Sequence, residues 1–274
     1  MKQTQGFLDR ITGKWWFYLL FFFLFMVPPY SQTGVDRYEA PDMVVEVLSN
    51  ALIYSFPTLV PVLKVIPILL VIGIFVWGDR ITRIFDIYVS FTYFLFAFFQ
   101  HMAFTESYGF AIVLGNLVPI LLVSILWIWE AIVKVNDFSS PTRTLWRYWV
   151  VPFAFLAFWS PINMETFAPE FAPIYILTST AGLTYCMMTP VYVGLLSLYW
   201  PKVNMATLRV TSLVGLIIGL YNMPYQFIVS PSKFYWGGIL HIPLLVISLY
   251  GLIISLRCPR AEKQTVENIG PTKN

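Results

Sequence analysis

Residues 108–135, YGFAIVLGNLVPILLVSILWIWEAIVKV, decide the class of this fold. The hydrocarbon core of a bilayer is about 30 Å thick and is crossed by roughly 20 predominantly apolar helical residues. The run 110–129 contains no formal charge, so the stretch predicts a membrane-spanning helix. Its centre, VPILLVSI at 118–125, recurs as IPLLVISL at 242–249, with Pro119 and Ser124 answered by Pro243 and Ser248. A span repeated in this way points to a duplicated membrane protein.

Composition agrees with that class. Of 274 residues, 58% are hydrophobic and 11% charged, whereas a soluble domain carries about 25% charged residues. Apolar runs separated by charged or proline-rich breaks fall at 15–29, 56–77, 84–104, 108–133, 146–159, 171–199, 208–229 and 234–256. The expected fold is therefore all-α: a polytopic integral membrane protein with eight transmembrane helices. The N-terminal run has a basic start but no small-residue cleavage site, and is read as a retained first span. Between the first two runs, 43–55 is too short and too polar to cross, so an amphipathic interfacial or re-entrant helix is expected there.

Lysines and arginines favour the short cytoplasmic loops of a multi-pass protein. Eight crossings put fourteen of the seventeen on one side, Arg37 and Lys233 on the other, and Lys64 inside a span. This predicts a cell-membrane protein with both termini cytoplasmic. The tail 259–274 is polar and is expected to be disordered.

Further landmarks extend the duplication. Pro67 and Trp77 are answered by Pro190 and Trp200, Ala40-Pro41-Asp42 by Ala168-Pro169-Glu170, and Pro29 by Pro161. The reading is a 4+4 parallel tandem repeat, with one four-span unit at 1–137 and a second at 138–258. Four spans per unit keep the copies parallel, which puts any shared site between the halves. Nearly every span also carries a proline, and each interior proline frees a carbonyl and kinks its helix.

Polar residues at membrane depth are the candidates for function. Lys64 lies near the middle of its span, where an amine is costly unless paired or near water; Glu46 and Glu106 are its expected partners. Asn116, Asn222, Gln226 and His241 are placed in the outer half of the bundle and, with Lys64, form the expected substrate-binding set. Gln100, Asn163, Tyr185, Tyr221 and Tyr225 are further polar candidates there. His101 and His241 are the only histidines, and two imidazoles at similar depth could ligate a haem or a copper ion. Glu130 and Asp86 are expected to pair with Lys134 and Arg83. Gly215 and Gly219, and Gly237-Gly238, mark close helix packing.

No zinc-protease, serine-hydrolase, nucleotide-loop or metal-array motif occurs, and Cys186 and Cys258 form no recognised pair. The sequence thus leaves catalysis unsupported and any cofactor unknown. Its scattered basic residues do not make a nucleic-acid surface. The leading reading is a protein that binds and translocates or gates a small solute through a proline-kinked cavity between two four-helix halves. The alternatives are a non-catalytic membrane subunit of a larger complex and a quinone- or haem-binding redox subunit. The implied partners are the lipid bilayer, a small-molecule solute and partner subunits.

Overall fold

The computed structural model describes residues 1–36, 38–142, 144–163 and 166–257. Arg37, Arg143, Glu165, Cys258 and the tail at 259–274 lie outside the described residues. The chain is all-α apart from one small sheet. Its helices are α1 (Lys2–Thr12), α2 (Trp15–Phe25), α3 (Ala40–Ser49), α4 (Leu59–Trp77), α5 (Thr82–Leu95), α6 (Leu114–Val133), α7 (Val150–Trp159), α8 (Tyr175–Thr178), α9 (Tyr185–Tyr199), α10 (Met205–Pro224) and α11 (Pro231–Leu256).

Among the described residues, five helical segments are long and apolar enough to cross a membrane: Leu59–Arg80, Thr82–Gln100, Leu114–Val133, Met205–Val229 and Pro231–Leu256. A sixth comes from Tyr175–Leu183 and Tyr185–Tyr199 taken together, although they meet at a bend of 101°. The sequence read 171–199 as one continuous span. The polar and glycine-bearing stretch from Thr178 to Gly182 breaks it. The two other expected runs give shorter helices, α2 with 11 residues and α7 with 10.

The outward faces are apolar at helical spacing. Ile84, Ile87, Phe91 and Phe94 are exposed along α5, Ile125, Ile128 and Ile132 along α6, and Leu249, Ile253 and Leu256 along α11. In a soluble helix this stripe would be polar. The interior is instead built from aromatic rings, and several of their polar ends find partners. Phe85 packs edge-on against Trp127, Phe138 and Tyr192. Trp127 Nε1 donates to Thr211 (3.1 Å), Tyr93 OH donates to Thr189 (3.2 Å), and Thr92 and Tyr192 share a hydrogen bond of 3.0 Å. Each such bond removes the desolvation cost of a buried hydroxyl or indole.

The segment between α5 and α6 differs from expectation. Residues 102–112, read as the ends of two spans, fold into a hairpin of β2 (Met102–Thr105) and β3 (Gly109–Ile112), with β1 (Tyr30–Ser31) on the far side of β3. Glu106-Ser107-Tyr108 supplies the turn, and Gly109 takes a φ of +61°, open to glycine at no steric cost. α3 covers this sheet, burying Met43 and Val47 against Ala103 and Ala111. The helix found near the 43–55 stretch thus runs from Ala40 to Ser49, and its apolar face is occupied by protein. β3 delivers the chain into α6, so that span starts at Leu114 rather than at Tyr108.

Small residues set the helix contacts. Ser90 Oγ donates to Ser124 O (3.0 Å) and Ser124 Oγ to Ser90 O (2.9 Å), joining α5 to α6. Between α10 and α11, a Cβ on Gly215 would run into Ser248 Oγ, and one on Gly219 would meet Leu245 at 3.3 Å. A Cβ on Gly251 would stand 2.6 Å from Val193 on α9. Gly215→Leu and Gly251→Leu are expected to destabilise the bundle by about 1–3 kcal/mol or more, the usual cost of overpacking, read as a fall in the thermal midpoint of the detergent-solubilised protein.

Candidate functional site

Three interruptions of regular helix meet at one place. α5 continues into a π-turn, Phe96–Gln100, and α10 into another, Tyr225–Val229. The third is the bend between Thr180–Leu183 and α9. A π-turn widens the helix by one residue and frees backbone groups from the regular ladder. Gln100 ends the first turn, Gln226 lies in the second, and Thr180, Thr184 and Tyr185 lie at the bend. All five line a cavity of about 220 Å³.

Four of the five residues chosen from sequence, Asn116, Asn222, Gln226 and His241, line this cavity. So do Gln100, His101, Ser160, Tyr54, Cys186 and the aromatic rings of Phe167 and Phe234. Among the described residues, its wall includes no aspartate, glutamate, lysine or arginine. Ser160, Thr180 and Thr184 were missed by sequence reasoning. The sequence signal for the two threonines was the hydroxyl-rich stretch before Tyr185, hidden inside a run of high average hydropathy; Ser160, at the end of α7, carried none.

The hydrogen bonds fix several of these groups and leave others open. Gln100 Oε1 accepts from Tyr185 N (2.8 Å), so a side chain at one interruption caps the backbone at another. Asn222 Nδ2 donates to Ile218 O (2.9 Å). His101 Nδ1 lies 2.8 Å from Phe96 O and His241 Nδ1 2.8 Å from Gly237 O. A carbonyl only accepts, so each Nδ1 carries the proton and each neutral ring keeps its lone pair on Nε2. Gln226 Oε1 is buried with no hydrogen-bond partner among the described residues. The wall thus offers an unpaired amide acceptor and two oriented imidazoles against aromatic surfaces.

Lys64 is not part of this wall. It is fully buried, donates to Phe158 O and to Ser179 Oγ (2.9 Å), and holds Nζ 3.9 Å from the centre of the Phe158 ring. Its expected partners lie elsewhere: Glu46 accepts from Ser107 N (3.3 Å). α4 packs mainly on the 175–183 segment rather than on α5, and Lys64 ties it to that segment and to the end of α7. Gly182 admits the lysine stem, for a Cβ there would lie 3.0 Å from Lys64 Cδ.

The remaining polar candidates disperse. Tyr221 is exposed, and neither it nor Tyr225 reaches the cavity. Asn163 sits in the loop before α8, where its amide and the Tyr175 hydroxyl donate to Glu170 (2.8 and 2.7 Å). The Tyr175 bond first, then that of Asn163, holds the Glu170 carboxyl below the usual carboxylate range. Glu130 and Asp86 do not pair with Lys134 and Arg83. Lys134 is bound to Asp79 at 2.7 Å, and both acids bind amides instead.

Lys64→Met leaves Phe158 O and Ser179 Oγ without their donor, a loss of about 1–3 kcal/mol for buried groups. The expected outcome is a lower thermal midpoint with ligand binding at the cavity unchanged; weakened binding without loss of stability would return Lys64 to the site. No family model, curated protein or solved structure matches this chain, so its function rests on the chemistry of the cavity wall.

Proposed function

We propose that this is a multi-pass cell-membrane protein that binds a small, uncharged, hydrogen-bonding solute in the cavity and passes or gates it between two four-helix halves. The observation that carries the reading is the wall itself: amides, imidazoles and hydroxyls gathered where three helices are interrupted, with no formal charge among them. Among the described residues the wall itself offers a charged solute no counter-charge, Lys233 Nζ lying outside it at 5.1 and 5.7 Å from the centres of the Phe234 and Phe167 rings, and a purely apolar solute would leave Gln226 Oε1 unpaired. Drug-sized ligands occupy pockets of about 300–1,000 Å³, so a cavity of about 220 Å³ suits a smaller molecule. Interrupted helices lining a polar cavity are also how solute sites are built at membrane depth.

Two internal correspondences support the halves at 1–137 and 138–258. α5 and α10 each end in a five-residue π-turn. Ser124 of α6 meets Ser90 of α5, and Ser248 of α11 faces Gly215 of α10 at the matching place. The cavity draws Gln100, His101 and Asn116 from the first half and Asn222, Gln226 and His241 from the second. The fourteen-to-two division of basic residues supports eight crossings with both termini cytoplasmic, α2 and α7 completing the count.

The test is flux of small polyols, amides and ureas into proteoliposomes. Gln226→Leu and Asn222→Leu are expected to lower uptake about threefold to tenfold, the worth of one neutral hydrogen bond, while Lys64→Met protein that has folded transports normally. Equal uptake by wild type, both cavity variants and empty vesicles across the panel would overturn the proposal.

A redox reading draws on one observation: His101 and His241 share the wall, each with Nδ1 fixed by a carbonyl, the orientation found in metal-bound imidazoles. Among the described residues no group of three or more metal-ligating side chains accompanies them. The expected absorbance spectrum of the purified protein shows no Soret band; a Soret band would favour this reading over solute passage.

A further inference from the structure

Fourteen residues before Gln100 on α5, about 20 Å along the helix axis, two acids are buried together at the end of the bundle opposite the cavity. Asp86 on α5 and Glu130 on α6 are each 0% exposed. The ion pairs among the described residues are Lys134–Asp79 and Lys202–Asp137, and neither buried acid enters one. Two carboxylates held out of water without a cation are strongly disfavoured.

The hydrogen bonds divide the pair unequally. Glu130 Oε1 accepts from Asn136 N (2.6 Å) and Oε2 from Asn204 Nδ2 (2.6 Å), so both of its oxygens face an N–H. Asp86 Oδ1 accepts from Asn136 Nδ2 (3.0 Å), whereas Asp86 Oδ2 is buried with no partner among the described residues. The amides are themselves fixed: Asn204 N donates to Asn136 Oδ1 (2.8 Å), and Gln5 Nε2 donates to Asn204 Oδ1 (2.9 Å). Two N–H donors on two oxygens suit a carboxylate. One donor on one oxygen and nothing on the other suits a carboxylic acid, whose C=O accepts while its O–H carries the hydrogen.

A metal cation fits poorly in the same place. Hard cations gather about six oxygens, and here three of the four carboxylate oxygens already point at N–H groups. One open oxygen is enough for a proton. We infer that Asp86 is a proton-binding site: Oδ2 holds one exchangeable proton, Glu130 beside it remains a carboxylate, and the pair carries a single negative charge.

The other charged groups around this pair are Asp79 and Lys134, bound to each other at the mouth, and Asp9 of α1. Arg209 is turned away, donating to Asp9 O, Thr12 Oγ1 and Ser255 O. Thr82, one turn before Asp86, donates to Asp79 Oδ1 (3.1 Å), so the half-exposed Asp79–Lys134 pair is the polar group at the surface end of this helix turn.

Infrared spectroscopy of the full chain in lipid nanodiscs tests this. At neutral pH the wild type should show one carboxylic-acid C=O band that shifts in D2O, disappears in Asp86→Asn and persists in Glu130→Gln. In Asp86→Glu, a variant that keeps the acid should Asp86→Asn fail to fold, the band should change frequency. A wild type without the band, a band that survives Asp86→Asn, one lost in Glu130→Gln, or one unmoved in Asp86→Glu overturns the assignment. Exchange of choline for sodium at fixed ionic strength should leave the thermal midpoint unchanged; a sodium-dependent rise abolished by Asp86→Asn would identify a metal-cation site instead.

Discussion

Hydrocarbon offers a backbone amide nothing to bond with, so a helix that breaks inside it must be sheltered by its own protein. Among the described residues, this chain breaks regular helix three times within its long apolar segments, in the turns ending at Gln100 and Val229 and at the bend before Tyr185, and it brings the three breaks together. The bond from Tyr185 N to Gln100 Oε1 is the most direct expression of that constraint. The cavity is the outcome: widened and bent helices do not close on one another, and the groups they release line the space between them.

A second polar fastening holds the periphery. α4 is among the most hydrophobic elements and presents Leu69, Ile72, Phe75 and Val76 outward, so apolar contact alone gives it little preference for one neighbour over another in lipid. Lys64 supplies the preference. Its amine reaches a carbonyl released at the end of α7 and a hydroxyl that opens the 180–183 turn, and Ser179 Oγ in turn donates to Trp159 O (3.0 Å). Three separate segments are thereby pinned through one side chain.

What could be read from sequence followed from periodicity and from the rarity of polar groups at depth. The long spans were visible as apolar runs with few charges, and Asn116, Asn222, Gln226 and His241 stood out because little else polar lies near them in those runs. The hairpin at 102–112 was not visible, because its residues are as apolar as the spans they adjoin and only the Glu106-Ser107-Tyr108 turn distinguishes them. The bend at Thr184 was masked in the same way. Lys64 was recognised as costly, but its partners are a main-chain carbonyl and a serine hydroxyl, and no reading of charge against charge would have selected them. Asp86 and Glu130 were matched to the nearest basic residues along the chain, whereas Asn136 and Asn204 reach them from loops that only folding brings close.

The first apolar helix has a consequence of its own. α2 has 11 residues, about 17 Å of rise at 1.5 Å per residue, while α6 beside it has 20. At its start stands the exposed Lys14, preceded by α1, whose Gln5 is bound to Trp129 of α6 (2.8 Å). On the proposed eight-crossing reading, lipid tails along this flank would meet a greasy belt roughly half the height of the neighbouring one, and the leaflet would dip there to keep Lys14 in contact with water.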